Sequence, residues 1–170
     1  SRTLSLVDIA ARRIVKEETI GAMFSDLKPL DGGEWMLATD EANHALLVLQ
    51  VGSHGIHVRQ RIAVSPYPVR VVVDSRQRCC YVTSLWSRRV TRLQMQEESG
   101  AWQVNSPVQL DLPFSPREMQ LLPGESHLVV ADSFGGHLAV VDVSQPAPGT
   151  LQLRGIRKFP GHNIRGMGVN

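Results

Sequence analysis

One strand–turn–strand unit recurs along this chain at intervals of 44 to 48 residues. Its clearest copy is the stretch 128–143, where two apolar runs flank a polar break that contains Gly135 and Gly136. This pattern is typical of a β-hairpin, because glycine adopts the positive φ that the reversal needs. Two sets of residues share one spacing of 44 and then 48 positions: Asp40, Ser84 and Asp132, and Leu49, Leu93 and Val141. The repeat therefore predicts architecture more than chemistry.

A third set of residues repeats at a similar spacing and carries charge: Asp26, Arg70, Arg117 and Arg165. Its successive members are separated by 44, 47 and 48 positions. A period in the forties made of four short strands is the signature of a propeller blade, a sheet that must stack on its neighbours. The sequence therefore predicts an all-β fold, a β-propeller of four-stranded antiparallel blades, with about three full blades and partial blades at both ends.

The predicted blades divide the chain into five parts of a single β-propeller segment. These are the end of a blade at 1–20, full blades at 21–65, 66–112 and 113–160, and the start of another blade at 161–170. Two arrangements stay open: an arc that belongs to a larger propeller, and a strained four-bladed ring closed by the terminal strands. We favour the arc, because the first and last parts are incomplete blades. An arc exposes apolar blade faces, so an isolated fragment is expected to self-associate.

Composition and charge argue against several classes of function. The 170 residues carry a net charge of only +2, and their basic residues are scattered, so no nucleic-acid partner is expected. The longest uninterrupted apolar run spans residues 45–49, well below the roughly 20 residues of a membrane-spanning helix, so no membrane span is expected. Cys79 and Cys80 are neighbours that point to opposite faces of a predicted strand, which predicts two structural free thiols.

Two of the repeated stretches resemble a known repeat family. CYVTSLWSRRVTRLQM and LVVADSFGGHLAVVDV resemble the YVTN-type β-propeller repeats. The block SPREMQLLPGESHLVVADSFGGHLAVVDV, followed by GHNIRGMGV, is similar to a group of bacterial secreted proteins, common in planctomycetes, that join such a propeller to a c-type cytochrome domain. The resemblance implies a periplasmic or extracellular location, although the sequence shows no signal peptide. It also implies a haem c, held by the cytochrome domain. This chain contains no CxxCH motif, so no cofactor is expected here and the haem would belong to a separate domain.

The arginines of the third set are the main candidate site. Arg70, Arg117 and Arg165 each stand at the entry to a predicted innermost strand, so in a propeller they would surround one mouth of the central channel. A ring of guanidinium groups suits a small anionic ligand, a carboxylate or a phosphate. Asp26 interrupts the ring and favours an alternating acid–base network. The competing interpretation is structural: these arginines pair with acidic residues of a neighbouring blade, for example Asp132.

The loop that leads to the same channel mouth offers further candidate ligand contacts. His162 and Asn163 come shortly before Arg165, and propellers place ligand contacts on loops of this kind. The competing interpretation is a set of loop hydrogen bonds. No metal site is predicted, because His54 and His57 lie three residues apart across a turn and a metal would need further ligands from elsewhere.

The turn SLWSRR is a candidate surface for a protein partner. Trp86, with Arg88 and Arg89, combines an aromatic face with two cations, which is a frequent composition of binding surfaces. The alternative is that Trp86 only packs against its blade or the rim.

No catalytic motif in the sequence is more than a weak match. No serine lies in a G-x-S-x-G elbow, and the paired glycines lack the lysine of a phosphate-binding loop. We therefore predict a non-catalytic scaffold or binding module within a larger extracytoplasmic protein, with a protein partner or the remaining propeller blades as its neighbours. The alternative is a portion of a propeller enzyme, a lactonase-like hydrolase or a quinoprotein- or peroxidase-type oxidoreductase.

Overall fold

A computed structural model of the protein describes residues 2–30, 32–53, 55–76, 78–145, 149–160, 164 and 166–168, with the backbone alone at residue 106. Its regular structure consists of fourteen β-strands, and the described residues contain no α-helix. Within these ranges there is accordingly no helix with the length and apolar character that crossing a membrane requires.

The strands form four antiparallel sheets in which strands adjacent in sequence are paired in space. The hairpin sheet consists of β1 (Thr3–Asp8) and β2 (Arg13–Thr19). Sheet I consists of β3 (Phe24–Pro29), β4 (Trp35–Asp40), β5 (Ala45–Gly52) and β6 (Gly55–Ala63). Sheet II consists of β7 (Pro68–Val73), β8 (Cys79–Ser84), β9 (Arg89–Glu98) and β10 (Ala101–Asp111). Sheet III consists of β11 (Pro116–Leu121), β12 (His127–Asp132), β13 (His137–Asp142) and β14 (Gln152–Lys158). The predicted four-stranded antiparallel sheets are confirmed.

The turn between the second and third strands takes the same backbone form in all three four-stranded sheets. One residue of each turn has a left-handed conformation, with φ values of 55°, 55° and 69° at His44, Arg88 and Gly136. These residues are 44 and 48 positions apart, which is the spacing of the sequence repeat. A positive φ strains a non-glycine residue, so the surrounding sheet must hold His44 and Arg88 in place.

Three hydrophobic clusters lie between successive sheets, and together they form the core. Between the hairpin sheet and sheet I lie Ile20, Leu47 and Leu49 among others. Between sheets I and II lie Leu37, Val48 and Val82 among others. Between sheets II and III lie Tyr81, Leu128 and Val141 among others. Sheets I and II therefore bury both faces, since alternate residues of each strand enter different clusters.

The two cysteines show this alternation at neighbouring positions. Cys79 enters the cluster against sheet III, and Cys80 enters the cluster against sheet I. Both are free and buried, as predicted. Burial raises the pKa of each thiol, so both stay protonated at neutral pH and behave as small apolar side chains.

The outer face of sheet III is less covered than its inner face. Val129, Leu138 and Val140 on the outer face are half-buried, whereas Leu128 and Val130 on the inner face are fully buried. Among the strands that the structure describes, extensive packing joins each sheet only to the sheets next to it in sequence. The four sheets thus form a row that ends in a half-covered apolar face.

Replacement of Leu128 by alanine tests the role of the clusters. Leu128 is fully buried between sheets II and III, so Leu128→Ala is expected to lower the free energy of unfolding by about 2–5 kcal/mol. The control Leu153→Ala lies on the same sheet but is 38% exposed, and it should cost less than about 1 kcal/mol. Urea denaturation followed by tryptophan fluorescence measures both. Equal losses for the two variants would contradict the packing described here.

Candidate functional site

The first strands of the three four-stranded sheets lie side by side and place one charged residue each at a matched position. Asp26 pairs with Thr39, and Arg70 pairs with Thr83 at the same level of the next sheet. In sheet III this level is occupied by Glu118. The structural set is therefore Asp26, Arg70 and Glu118, spaced 44 and 48 positions apart, like the other two sets.

This register corrects the placement of Arg117 in the arginine set. Each of these first strands has a bulge near its start, and in sheet III the bulge falls between Pro116 and Glu118. Arg117 therefore occupies the unpaired position of the bulge, one residue before the matched level. In the sequence, Arg117 follows Arg70 by 47 positions, whereas Glu118 follows it by the 48 positions of the other two sets.

Arg70 is bracketed by acidic residues of both neighbouring sheets. Its Nε lies 3.6 Å from Asp26 Oδ2, and its Nη2 lies 3.5 Å from Glu118 Oε2. The amide of Val71 also donates to Asp26 Oδ2 over 2.9 Å. The charge of Arg70 is thus balanced within the protein, and the network ties sheets I, II and III together. The alternating network fits this geometry, with Glu118 rather than Asp132 as the second acid.

The residues predicted to surround the mouth of the central channel are here called the inner rim. Apart from Asp26 and Arg70, none of those that the structure describes takes part in this network. The Arg117 side chain is exposed and has no ion pair or hydrogen bond with another described residue, although its carbonyl accepts a 3.3 Å hydrogen bond from Thr83 Oγ1. His162, Asn163 and Arg165 lie outside the described residues. Within the described part, the inner rim presents an acid–base–acid arrangement and not a ring of arginines.

The predicted partner surface gains one aromatic residue and loses one free cation. Trp86 stacks on Phe134 with ring centroids 5.7 Å apart and an angle of 23°, and both side chains are 57% exposed. Arg88 is exposed, whereas Arg89 Nε donates to Asp111 Oδ1 over 2.5 Å within sheet II. Sequence reasoning missed Phe134, although Trp86 and Phe134 hold the same turn position, 48 residues apart.

An aspartate–histidine pair lies beside this aromatic pair and was also missed. His137 Nδ1 lies 2.7 Å from Asp132 Oδ2, and the amides of Phe134 and Gly135 donate to the same carboxylate over 3.0 and 2.9 Å. The imidazole also stacks on Phe114 at an angle of 9°. Asp132 caps its turn, and it holds the ring of His137 in one orientation with Nε2 as the remaining nitrogen.

The hydrogen bonds to Asp132 also set its acidity. Burial by itself would raise the pKa of this carboxyl, but the hydrogen bonds from His137, Phe134 and Gly135 outweigh it and hold the pKa below its usual range. Among the described residues, no three histidine, cysteine, aspartate or glutamate side chains are grouped closely enough to hold a metal ion.

Comparison with known proteins adds the fold but no sequence family. No family model matches the chain, and no curated protein matches it. The periplasmic gluconolactonase PpgL of Pseudomonas aeruginosa is a structural match with a TM-score of 0.74 at 16% identity, covering 96% of this chain. A 6-phosphogluconolactonase-like protein of Bacteroides uniformis matches with a TM-score of 0.74 at 13% identity over 94% of this chain. These structural matches and the stacked four-stranded antiparallel sheets indicate the same fold. The fold is a β-propeller.

The propeller matches extend to a protein of different chemistry and to longer chains. The dihydro-heme d1 dehydrogenase NirN, in complex with DHE, matches with a TM-score of 0.70 at 15% identity over 95% of this chain. The chain spans 52% of the length of PpgL and of the Bacteroides protein, and 34% of NirN. Sheets I, II and III are accordingly blades I, II and III of this fold.

Replacement of Asp132 tests the turn network and its pH dependence. Asp132→Asn weakens three hydrogen bonds to a buried carboxylate, so it should cost roughly 1.5–3 kcal/mol of unfolding free energy at pH 7. A carboxyl with a lowered folded pKa stabilises the fold above its unfolded pKa and loses this contribution as the pH falls, so the difference from wild type should shrink below about pH 4. Thermal or urea unfolding between pH 3 and 7 measures this.

The matched control for this prediction is Asp111→Asn, which breaks an exposed ion pair with Arg89. The Asp111 side chain is 77% exposed, so its loss should cost no more than about 1 kcal/mol. A difference between Asp132→Asn and wild type that stays constant down to pH 3 would contradict the assigned role of the carboxylate.

Proposed function

We propose that this chain is a non-catalytic scaffold and binding segment of a larger β-propeller built from YVTN-type repeats. The observation that carries the proposal is the uneven burial of blade III, whose outer face holds the half-buried Val129, Leu138 and Val140. Blades I and II bury both faces against neighbours, so the same fold requires a further blade on this face. The chain's coverage of about half of PpgL agrees with this proposal.

An extracytoplasmic location and a cytochrome-linked context belong to the same proposal. PpgL is described as periplasmic, and NirN as a dihydro-heme d1 dehydrogenase. Both agree with the resemblance to secreted propeller–cytochrome proteins. In the proposed whole protein, a haem c would be held by another domain, and this segment would supply a surface against which that domain or another protein partner docks.

Two surfaces serve binding in this proposal. The stacked pair of Trp86 and Phe134 is exposed on adjacent blades and forms a flat aromatic surface suited to a protein partner. At the inner rim, Arg117 is exposed and unpaired among the described side chains, and it is the group there that is free for a small anion. Arg165, His162 and Asn163 are proposed to extend that second site.

The oligomeric state of the isolated chain tests the proposed missing neighbour. The chain of 18.8 kDa should elute from a size-exclusion column as a larger, concentration-dependent species. The double variant Val129→Thr/Val140→Thr makes the outer face of blade III polar at two paired positions and should shift the protein towards the monomer. Multi-angle light scattering on the same column gives the mass.

The control is Trp86→Ala, which changes the aromatic surface and leaves the outer face of blade III intact. It should leave the self-association unchanged. A monomeric wild-type protein, or association that Trp86→Ala abolishes and the double valine variant does not, would contradict the proposal that blade III lacks a neighbour.

A lactonase-like hydrolase is the second candidate function. The observation that favours it is the Asp132–His137 pair, because a carboxylate that holds Nδ1 leaves Nε2 as a base for an attacking water. The His137 side chain is 32% exposed, so a substrate can approach it. Two of the structural matches are named as a gluconolactonase and a 6-phosphogluconolactonase-like protein, which supplies a substrate class to test.

Hydrolysis of glucono-δ-lactone decides between the two candidates. The scaffold proposal expects no rate above spontaneous hydrolysis in a pH-indicator assay. The lactonase alternative expects a catalysed rate that falls by about 10²–10⁴-fold in His137→Gln. His127→Gln is the matched control, because this histidine lies at the other end of blade III and bonds to Ser126 instead of a carboxylate. A catalysed rate lost only in His137→Gln would overturn the non-catalytic proposal.

A further inference from the structure

A cleft opens between blades II and III on the face opposite the Trp86 and Phe134 turns. It has a volume of about 1130 Å³. Its walls come from the turn between β7 and β8, the ends of β9 and β11, and the turn between β11 and β12. Six charged or amide residues among those that line the cleft decide which ligand it suits: Asp74, Arg76, Arg78, Arg92, Gln94 and Glu125.

The two carboxylates of the cleft are engaged within the protein. Glu125 Oε1 accepts a 2.6 Å hydrogen bond from the amide of Ser75, and its Oε2 accepts a 2.9 Å hydrogen bond from Ser75 Oγ. Asp74 Oδ1 accepts a 2.7 Å hydrogen bond from the amide of Arg78. The Ser75–Glu125 bonds join the turns of blades II and III, and the Asp74–Arg78 bond lies within the turn of blade II. Neither carboxylate forms an ion pair with an arginine among the described residues.

Arg92 places a buried charge in the wall of the cleft. Arg92 is only 1% exposed. Its Nη1 donates to the carbonyl oxygen of Gln145 over 2.7 Å, and its Nη2 donates to the carbonyl oxygen of Gly149. Its Nε is buried without a hydrogen-bond partner among the described residues. The Tyr81 hydroxyl is a further hydrogen-bond partner of this guanidinium. A buried guanidinium that meets only neutral carbonyls and a hydroxyl lacks a counter-charge, and this arrangement is costly unless an anion supplies one.

Arg76 and Arg78 add two exposed cations at the mouth of the same cleft. Both are exposed, and neither guanidinium has an ion pair or side-chain hydrogen bond within the described part of the chain. The Gln94 amide beside Arg92 is likewise without a side-chain partner there. Three arginines thus face two engaged carboxylates, and the free donors of the cleft all suit an acceptor with negative charge.

We propose that the cleft between blades II and III binds a small oxyanion, a carboxylate or a phosphate, through Arg76 and Arg78, with Arg92 as the fixed charge behind them. Two flexible guanidinium groups at the mouth can each offer a planar pair of donors to such an anion. Tyr81 also lines the cleft, and its hydroxyl oxygen accepts a hydrogen bond from Arg92. This site is separate from the inner rim, where Arg70 is already neutralised by Asp26 and Glu118.

Isothermal titration with two probe anions tests the proposal on the full chain. Inorganic phosphate and citrate are titrated separately at pH 7.5, with sodium chloride used to match ionic strength. We expect saturable binding of at least one probe, and the comparison of the two distinguishes a phosphate site from a carboxylate site. Arg76→Ala/Arg78→Ala removes the charge-assisted hydrogen bonds at the mouth and should weaken the binding at least about tenfold.

Two matched controls separate this site from the other basic surfaces. Arg88→Ala and Arg157→Ala each remove an exposed arginine, from the opposite turn and from the last strand of blade III, and both should leave the titration unchanged. Arg117→Ala removes the arginine of the proposed inner-rim site, and the binding that the double variant loses should persist in it. Circular dichroism checks that Arg76→Ala/Arg78→Ala, which changes two exposed residues, keeps the β fold. The proposal is overturned if neither anion binds to the wild type, if the double variant binds as tightly as the wild type, or if Arg117→Ala alone abolishes binding. None of these outcomes depends on whether the chain self-associates or hydrolyses a lactone.

Discussion

The burial of both faces of each sheet is the constraint on which the rest of this structure depends. A four-stranded sheet with apolar residues at successive positions cannot cover itself, so it must be packed between two others. Blades I and II meet this requirement through three separate clusters. The same requirement explains why the half-covered outer face of blade III is the main clue to the context of this chain.

The stacking of blades also decides where charge is neutralised and where it remains free. At the inner rim, neighbouring first strands bring acids within 3.6 Å of Arg70 on both sides. On the opposite side of the same blades, a cleft lies between the turns, and Arg76, Arg78 and Arg92 line it without an ion pair to any described carboxylate. Arginines therefore have different roles at the two levels, because Arg70 meets carboxylates of both neighbouring blades, whereas the carboxylates of the cleft accept hydrogen bonds from Ser75 and from the amide of Arg78.

The shared turn between second and third strands shows how one backbone form carries different chemistry. The left-handed residue is His44, Arg88 or Gly136, and the sheet holds the same conformation in each case. In blade III the residues around this turn assemble the Asp132–His137 pair, and across two blades they stack Trp86 on Phe134. The repeated turn thus forms a candidate site only in those copies whose side chains differ from the other copies.

The sequence by itself determined the all-β class, the four-stranded blade and the position of its turns, because period, alternation and turn chemistry are local properties of the chain. It also identified Arg70 and Trp86 as residues to examine. Only the tertiary structure decided that Glu118, and not Arg117, completes the charged set, since a bulge shifts the register by one residue. The partners of Trp86 and of Arg92 likewise come from another blade or a distant loop, and no local pattern encodes which residues meet across stacked sheets.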